Sequence, residues 1–540
     1  MLNTEMTMTE ALRHVVDTCE EQEALVCGEQ RVTYGELWSR VESLTCGLHK
    51  ELGIRKGDRV ATLMFPGPAF TCVFFALAQL GAVIVLLAPK LRRRRLIAEL
   101  QDAEPTVLVT SRPLPADVHR QVDALCHVID VDGGEEGPSL AGLMVSGGSV
   151  PWSDVSPGDL LALIYTSGTT AVPKGTMHSH RSLIAPVAAT LNVRQLWNRP
   201  SLKMLGKHMK AVARYRQRLL RVAAGPQTFL STIGWHNISG VEAMLQGLLM
   251  GDRLVVLPRF HPRKALELVE REQVTILIAV PMAYRVMLRL EGFEDYDTSS
   301  LIVCGTGAAP CPAHLARQIE EQFGCAIHIG YGATETAGGI AVSSLADSEE
   351  RRTGTVGRPL TDMEVKVVDD QGRELPSGSV GELVCRGESV MLGYYDDPEM
   401  TAQAIDEDGW YHTGDLGVMD RDGYIRVVGR KKDLIIRGGQ NIYRAEIEEY
   451  LVVHPKIREA VVGVPAAVTG ENVWAFVVLE DGVLMTARQV LSYCRQEMET
   501  HKIPSEVRFV THFPCSQSGK VQKVKLRARA LQETERREPT

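Results

Sequence analysis

Along most of the chain, apolar residues fall into two alternating rhythms. Short runs rich in Val, Ile and Leu read as strands: Val60–Phe65, Val83–Leu87, Leu160–Tyr165, Arg253–Leu257, Thr275–Val280 and Leu301–Cys304. Between such runs, apolar positions recur at helical spacing, as in Pro262–Arg271 and Ala313–Phe323. This alternation predicts an α/β architecture with largely parallel sheets. One stretch, Val60–Ala88, carries no charge and resembles a membrane span. Pro66 and Pro68 break it, and it divides better into strand, helix (Ala69–Leu80) and strand, because parallel strands covered on both faces are continuously apolar.

After Val356 the texture changes. Short strands at Glu364–Val368, Gly381–Cys385 and Tyr424–Val428 follow one another across turn-forming segments such as Asp369–Gly378 and Asp420–Ile425. They predict a small β-barrel or antiparallel unit. A strand at Leu434–Ile436 and a helix at Ala445–Leu451 then open a last α+β piece. The expected division is a large N-terminal domain, residues 1–429, of parallel-sheet α/β subdomains plus the small barrel. A smaller mobile α+β domain, residues 430–540, follows it.

Composition narrows the class of protein. With 540 residues, 44% hydrophobic and 23% charged, the chain has ordinary globular usage, which excludes a disordered or coiled-coil protein. Asp and Glu total 67 against 59 Lys and Arg, a net charge of −8, which argues against a dedicated nucleic-acid binder. The 11 cysteines are scattered without a CxxC pair, as expected of reduced thiols in a cytoplasmic protein and not of a zinc site. The N-terminal residues lack the basic start and apolar run of a signal peptide.

Five segments carry candidate chemistry. The first, Tyr165–Gly175, follows a buried strand with Thr166, Ser167, Gly168, Thr169, Thr170 and Lys174. Backbone N–H groups, hydroxyls and one cation suit a phosphate cradle. The order of residues is not that of a P-loop, since Lys174 precedes a glycine. The second, Gly330–Thr336, presents the ring of Tyr331, the hydroxyl of Thr334 and the carboxylate of Glu335 in a turn. These groups suit base stacking and a divalent cation beside phosphates. Alone, the motif is also compatible with an ordinary Gly-flanked turn. The third, Gly409–Asp415, places Asp415 behind a tight turn, where a carboxylate either holds ribose hydroxyls or caps its own turn. The fourth is Gly429–Asn441 with Glu446 following, and the fifth is Ser518–Lys520.

In this order and spacing, the five segments resemble the adenylate-forming superfamily of acyl-CoA synthetases, luciferases and peptide-synthetase adenylation domains. The resemblance runs from Val32 to Arg527. It implies a two-step reaction, in which a carboxylate attacks the α-phosphate of ATP to give an acyl-AMP and a thiol then displaces AMP. Matching positions imply that Thr166, Ser167, Gly168, Thr169, Thr170 and Lys174 hold the β- and γ-phosphates. Tyr331 would stack on adenine, Thr334 contact the α-phosphate and Glu335 hold Mg²⁺. Asp415 and Arg430 would grip the ribose, and Lys520 would bridge the carboxylate and α-phosphate. Lys432 stands at the family hinge, often an Asp, and would let Arg437, Gly438 and Gly439 reach the pantetheine tunnel of coenzyme A. The resemblance places His236 where acyl pocket and thiol channel meet; a satisfied core histidine is the other reading. The pocket itself would be lined from His236, Gly305, Thr306, Gly307, Ala308, Gly330 and Gly332.

Departures keep alternatives open. Ala171 stands where the family usually has Gly, so a β-carbon either strains a left-handed backbone or crowds pyrophosphate. Acyl-AMP has no β- or γ-phosphate and would still fit, so thioester formation from a supplied adenylate is one alternative to complete acyl-CoA synthesis. Loading of an acyl carrier protein is another, and a non-catalytic ligand-binding relative a third. Arg444 and Ala466 replace the common Pro and Asp. No Asp or Glu occurs from Leu160 to Val241, and Leu202–Val222 reads as an amphipathic basic helix. Its lysines and arginines suit a solvated face, the phosphates of coenzyme A, an acidic carrier or an anionic membrane. The tail from His501 also carries 9 Lys and Arg against 4 Asp and Glu. The expected partners are therefore a carboxylic acid or its adenylate and coenzyme A, without nucleic acid or a transmembrane segment. Oligomeric state, a homodimer included, is left open, as is the acid.

Overall fold

The computed structural model describes residues 2–114, 118–133, 139–145, 154–166, 174–198, 225–437, 440–463, 473–514, 521 and 525–526. Packing divides the chain into two units. The first comprises Met1–Cys311, Leu315–Val365 and Cys385–Tyr411, and the second Pro312–His314, Lys366–Val384 and His412–Thr540.

The charge-free stretch is the βαβ unit its prolines suggested. Arg59–Leu63 pairs in parallel with Val83–Leu86, and Pro68–Leu80 is the helix between them. Gly67 and Pro68 start that helix, Gly81 ends it at a positive φ, and every residue from Phe70 to Leu80 is buried. Among the described residues, no helix is long and apolar enough to cross a membrane.

Around this unit lies a seven-stranded sheet. Its order is Gly393–Tyr394, Lys174–Ser179, Leu160–Thr166, Val83–Leu86, Arg59–Leu63, Val107–Thr110, His127–Asp130. The two strands at the first edge run antiparallel, Lys174–Ser179 to Leu160–Thr166 and Gly393–Tyr394 to Lys174–Ser179. A second sheet has nine strands, ordered Arg358–Pro359, Ala341–Val342, Ala326–Tyr331, Val303–Thr306, Ile276–Ile278, Thr228–Ser231, Arg253–Val256, Glu23–Cys27, Gln30–Thr33. Its central strands are parallel. One apolar cluster joins the buried helix to Trp235, Ile238 and Val241, with the Phe70 and Trp235 rings edge to face at 5.4 Å. That contact fixes the chain on either side of His236.

Several strand limits differ from the sequence reading by one or two residues, and pairing explains the clearest cases. The strand expected at Leu301–Cys304 is Val303–Thr306, because Leu301 still closes a turn onto Thr298 and pairing continues through Gly305↔His328 and Thr306↔Ile329. The strand Ala326–Tyr331 runs into the second motif, because Gly330 and Tyr331 pair with Val342 and Ala341. Pairing partners distant in sequence set both limits.

The antiparallel piece is a four-stranded sheet, ordered Met363–Val368, Val380–Gly387, Tyr411–Met419, Ile425–Arg430. The rest of the second unit begins with the hairpin Ile435–Arg437 and Gln440–Ile442, then the helix Arg444–Val453. A three-stranded sheet, Ile457–Gly463, Trp474–Leu479 and Glu506–Phe509, follows with the helix Ala487–Glu497. A separate apolar core holds Ile435, Ile447, Leu451, Val462, Val477 and Val490.

In the first unit, a buried ion pair anchors the strand that ends in Tyr331. Glu320 accepts hydrogen bonds from Arg352 Nε at 2.9 Å and Nη2 at 3.2 Å, and from the backbone N–H of Ile327 at 3.1 Å. Removing one partner strands a buried charge, so Arg352→Met should cost roughly 3–5 kcal/mol. Adding Glu320→Met should restore most of that loss in urea denaturation. A double variant as unstable as Arg352→Met would show that the pair's charges are not what matters.

Candidate active site

The phosphate-cradle segment joins two antiparallel strands, so Thr166 stands opposite Lys174 at the open end of the pair. Residues Ser167, Gly168, Thr169 and Thr170 lie outside the described residues, as do Ala171, Gly438, Gly439, Ala466, Lys520 and the basic segment Leu202–Val222. Lys174 is held on the next strand. Its ammonium sits 5.8 Å from the ring centroid of Tyr394, within cation–π range. The Tyr394 hydroxyl in turn donates to Glu335 Oε1 at 2.9 Å. The structure thus connects two residues of separate motifs through a tyrosine that the sequence reading did not select. Burial, then the Glu335 charge, pushes the Tyr394 phenol well above its ordinary pKa, so it remains a donor at neutral pH. Tyr411 is raised by the same two causes.

The backbone around Glu335 is tightly determined. Thr334–Thr336 form a single 3₁₀ turn, the Thr336 hydroxyl accepts from the N–H of Ala333, and the N–H of Ile340 donates to the Tyr331 carbonyl at 2.7 Å. Gly332 lies against the Gly338 carbonyl, where an added Cβ would come within 1.4 Å of the oxygen. Only glycine lets this turn close. Tyr331 is half-buried, with Ala333, Leu360 and Val365 against the core of Ile340, Met363, Cys385 and Tyr411.

Of the other predicted pocket residues, Gly305 and Thr306 end a central strand of the nine-stranded sheet. Gly307 packs close to the Gly330 carbonyl, and Ala308 holds a left-handed φ of 63°. An alanine there costs about 1 kcal/mol or more, the kind of strain that collects at functional sites. The Thr306 hydroxyl is buried without a hydrogen-bond partner among the described residues. His236 folds over Gly234, and its Nε2 lies 3.1 Å from the Asn237 amide nitrogen. With that nitrogen accepting, Nδ1 carries the proton, yet it is buried without a partner among the described residues. Burial lowers the His236 pKa to about 4, so the ring is neutral at physiological pH.

In the second unit, Asp415 is not behind a turn. It lies within the strand Tyr411–Met419, directly opposite Arg430, and Oδ1 pairs with Arg430 Nε at 3.0 Å. The bulge between Leu416 and Gly417 allows that register. Lys431 is gripped by Asp370 at 3.0 Å and Glu382 at 3.1 Å, and these bonds raise its pKa. Lys432 is exposed in the short turn that follows. Arg437 ends the strand Ile435–Arg437. Arg444, unassigned from sequence, extends to Asp433 at 3.5 Å beside the expected hinge.

For a nucleotide, the donor set of the first unit is consistent: an aromatic ring on a closed turn, and a lysine and a carboxylate joined by a phenol. For a metal ion, the described residues offer no cluster of three or more His, Cys, Asp or Glu. A lone Glu335 suits Mg²⁺, which takes most of its oxygens from phosphates and water.

Comparison with known proteins agrees. The family described as AMP-binding enzyme matches residues 12–395, and its C-terminal domain matches residues 446–520. A feruloyl-CoA synthase of Amycolatopsis sp. is 34% identical over 503 residues, covering 93% of this chain and 94% of its own. The human mitochondrial medium-chain acyl-CoA ligase is 29% identical over 566 residues, covering 96% and 87%. Among solved structures, an anthranilate CoA ligase with anthranoyl-AMP has a TM-score of 0.85 and 25% identity over 99% of both chains. ATP-bound MatB from Rhodopseudomonas palustris has a TM-score of 0.83 and 27% identity, covering 97% of this chain and 99% of its own.

The neutral His236 has a measurable consequence. Its folded pKa, about 4, lies below the unfolded value near 6.5, so the unfolded chain takes up a proton first as pH falls. The stability linked to this ring is complete above pH 6.5 and lost toward pH 4. His236→Gln should flatten the dependence of unfolding free energy on pH by up to ~1.4 kcal/mol per pH unit in that window. Urea midpoints at several pH values read it, and an unchanged slope would mean that the ring is already charged in the folded protein.

Proposed function

The chain belongs to the AMP-binding enzyme family and is an adenylate-forming acid–thiol ligase; on that premise we propose that it completes both halves of acyl-CoA synthesis from a free carboxylic acid. The observation that carries the proposal is the line from Lys174 through Tyr394 to Glu335. A cation and a carboxylate held 5.8 Å and 2.9 Å from parts of one phenol suit a triphosphate with its metal ion, not a thiol.

In the adenylation half, Lys174 with the loop Thr166–Thr170 steadies the β- and γ-phosphates while Thr334 contacts the α-phosphate. Tyr331 packs against adenine, and Glu335, oriented by Tyr394, supplies a ligand to Mg²⁺, which neutralises phosphate charge when bound. Nucleotidyl transfer needs charge placement more than covalent help from the protein. Asp415 and Arg430 are assigned to the ribose hydroxyls and Lys520 to the substrate carboxylate and α-phosphate. The neutral His236, with an N–H to spare, is assigned to the junction of acyl pocket and thiol channel. We place the functional boundary after Gly429, with Lys432 as the pivot and Arg437–Gly439 serving coenzyme A. We take the protein to act in the cytoplasm.

Tyr394→Phe removes the hydrogen bond to Glu335 without emptying the space of the ring. It should slow pyrophosphate exchange about tenfold, the loss expected of one bond to a charged group. Thioester formation from a synthetic acyl-AMP should be spared, as it should in Lys520→Ala. Equal losses in both halves would sink the assignment.

Ala171 favours a second reading, in which the protein mainly converts a supplied adenylate. If its β-carbon crowds pyrophosphate, Ala171→Gly should raise the pyrophosphate-exchange rate several-fold and leave the thioester half unchanged. An ordinary exchange rate in the unmodified enzyme, with no gain in the variant, would remove that reading.

A further inference from the structure

Glu242 stands on the helix Ile238–Leu249, two turns beyond His236, and the mechanism makes no use of it. The core-facing side of that helix is Ile238, Val241, Met244, Leu245 and Leu248, all buried. Ser239, Glu242 and Gln246 form a different stripe, each keeping some accessible surface. The Glu242 carboxylate reaches the turn that follows Glu335. Gly338, at a φ of +111°, has no side chain, and a Cβ built there would lie 2.1 Å from Glu242 Oε2. Gly339 follows, with Oε1 3.6 Å from its own built Cβ. Gly338 makes room for the carboxylate, and Gly339 lies in ordinary contact with it.

That carboxylate is poorly compensated. Oε1 accepts one bond, from the Gln246 amide at 3.1 Å. Among the described residues, nothing donates to Oε2, and no lysine, arginine or histidine forms an ion pair with Glu242. The charged group that does act on it is another acid, Asp362, whose Oδ1 is also buried without a partner and whose Oδ2 takes only the Ser389 hydroxyl at 2.9 Å. Burial, then Asp362, raises the Glu242 pKa to about 8. The turn it touches is the one that closes on Gly332, since the Gly338 carbonyl lies against that glycine. A buried unpaired acid costs several kcal/mol and persists where a function retains it.

We propose that Glu242, packed against Gly338 and Gly339 and facing Asp362, is the specificity residue of the acyl pocket and selects carboxylic acids that bear a protonated amine remote from the carboxyl group. The assignment rests on the acid-activating reading above. An ammonium group would complete the hydrogen bonding of Oε2, draw Glu242 into its ionised form and offset the repulsion that ionisation beside Asp362 brings. A hydroxyl would supply one hydrogen bond and leave that repulsion in place, and an alkyl terminus would supply neither.

The test uses pairs of acids of equal shape, with AMP release as the readout: 4-(aminomethyl)benzoate against 4-ethylbenzoate, and 6-aminohexanoate against heptanoate. The full-length enzyme should favour the amine of each pair at least thirtyfold in kcat/KM. Glu242→Gln, similar in size and uncharged, should raise KM for the amines tenfold or more and lower KM for the alkyl acids. A wild-type preference for the alkyl acids overturns the proposal without reference to any variant. So does a Glu242→Gln enzyme that loses both series alike. Those results leave the acid-activating function intact, whereas failure of every acid in both series to release AMP would refute that function itself.

Discussion

The placement of Lys174 relative to Glu335 depends on one short segment, Met391–Tyr395, which ties two sheets together. The N–H of Leu392 donates to the Met177 carbonyl and that of Tyr395 to the Gly175 carbonyl, so the segment extends the edge of the seven-stranded sheet. The N–H of Met391 donates to the Glu335 carbonyl, and the Tyr394 hydroxyl donates to the Glu335 side chain. Glu335 itself belongs to the turn that leaves the nine-stranded sheet. Lys174 and Glu335 are thus positioned by different sheets, and no local restraint in the chain relates them. Functional groups need placement to within about half an ångström, and here a few hydrogen bonds across the sheets provide it.

The same unit treats its buried charges in two ways. Glu320 and Arg352 are paired at short distance, with the remaining lone pairs directed to backbone and neighbours. His178, His180, His236 and His328 avoid the cost of burial by staying neutral, each with a pKa lowered to about 4. Neutral imidazoles keep one donor and one acceptor without a counter-ion, so they are buried at less cost than a lysine, which would need a partner acid. The half-buried cationic side chain of Lys174, by contrast, rests on an aromatic ring, which attracts it without cancelling its charge.

Periodicity and glycine placement made much of this legible before any coordinates. The helix expected at Pro262–Arg271 is there to the residue, since Pro262 occupies its first turn and the buried Ala265, Leu266 and Val269 carry its apolar stripe. The turn around Gly332 was legible because a backbone approach that close admits one residue type. Tyr394 was not, since nothing in the local sequence Leu392–Asp396 says that its hydroxyl will meet a residue nearly sixty positions earlier. Asp415 was misplaced onto a turn because its pairing with Arg430 depends on a strand register and a bulge, which arise from cross-strand packing. The loop Ser167–Thr170 and Lys520 remain known by their sequence pattern alone.

Charge along the chain gains meaning when each acid is considered with its surroundings. The acid-free segment is bounded by Asp159 on one side and Glu242 on the other. Asp159 is satisfied: Lys56 lies 2.7 Å away, the N–H of Ser156 donates to it, and its pKa is lowered. Glu242 has one amide donor, a second acid facing it and a raised pKa. An acid that merely closed a structural boundary would resemble Asp159. Holding Glu242 in this place demands a glycine opposite it, Gly338, in a left-handed conformation that other residues resist. A positive group would complete such an arrangement, and the net charge of −8 conceals it because a global sum cannot separate paired acids from unpaired ones.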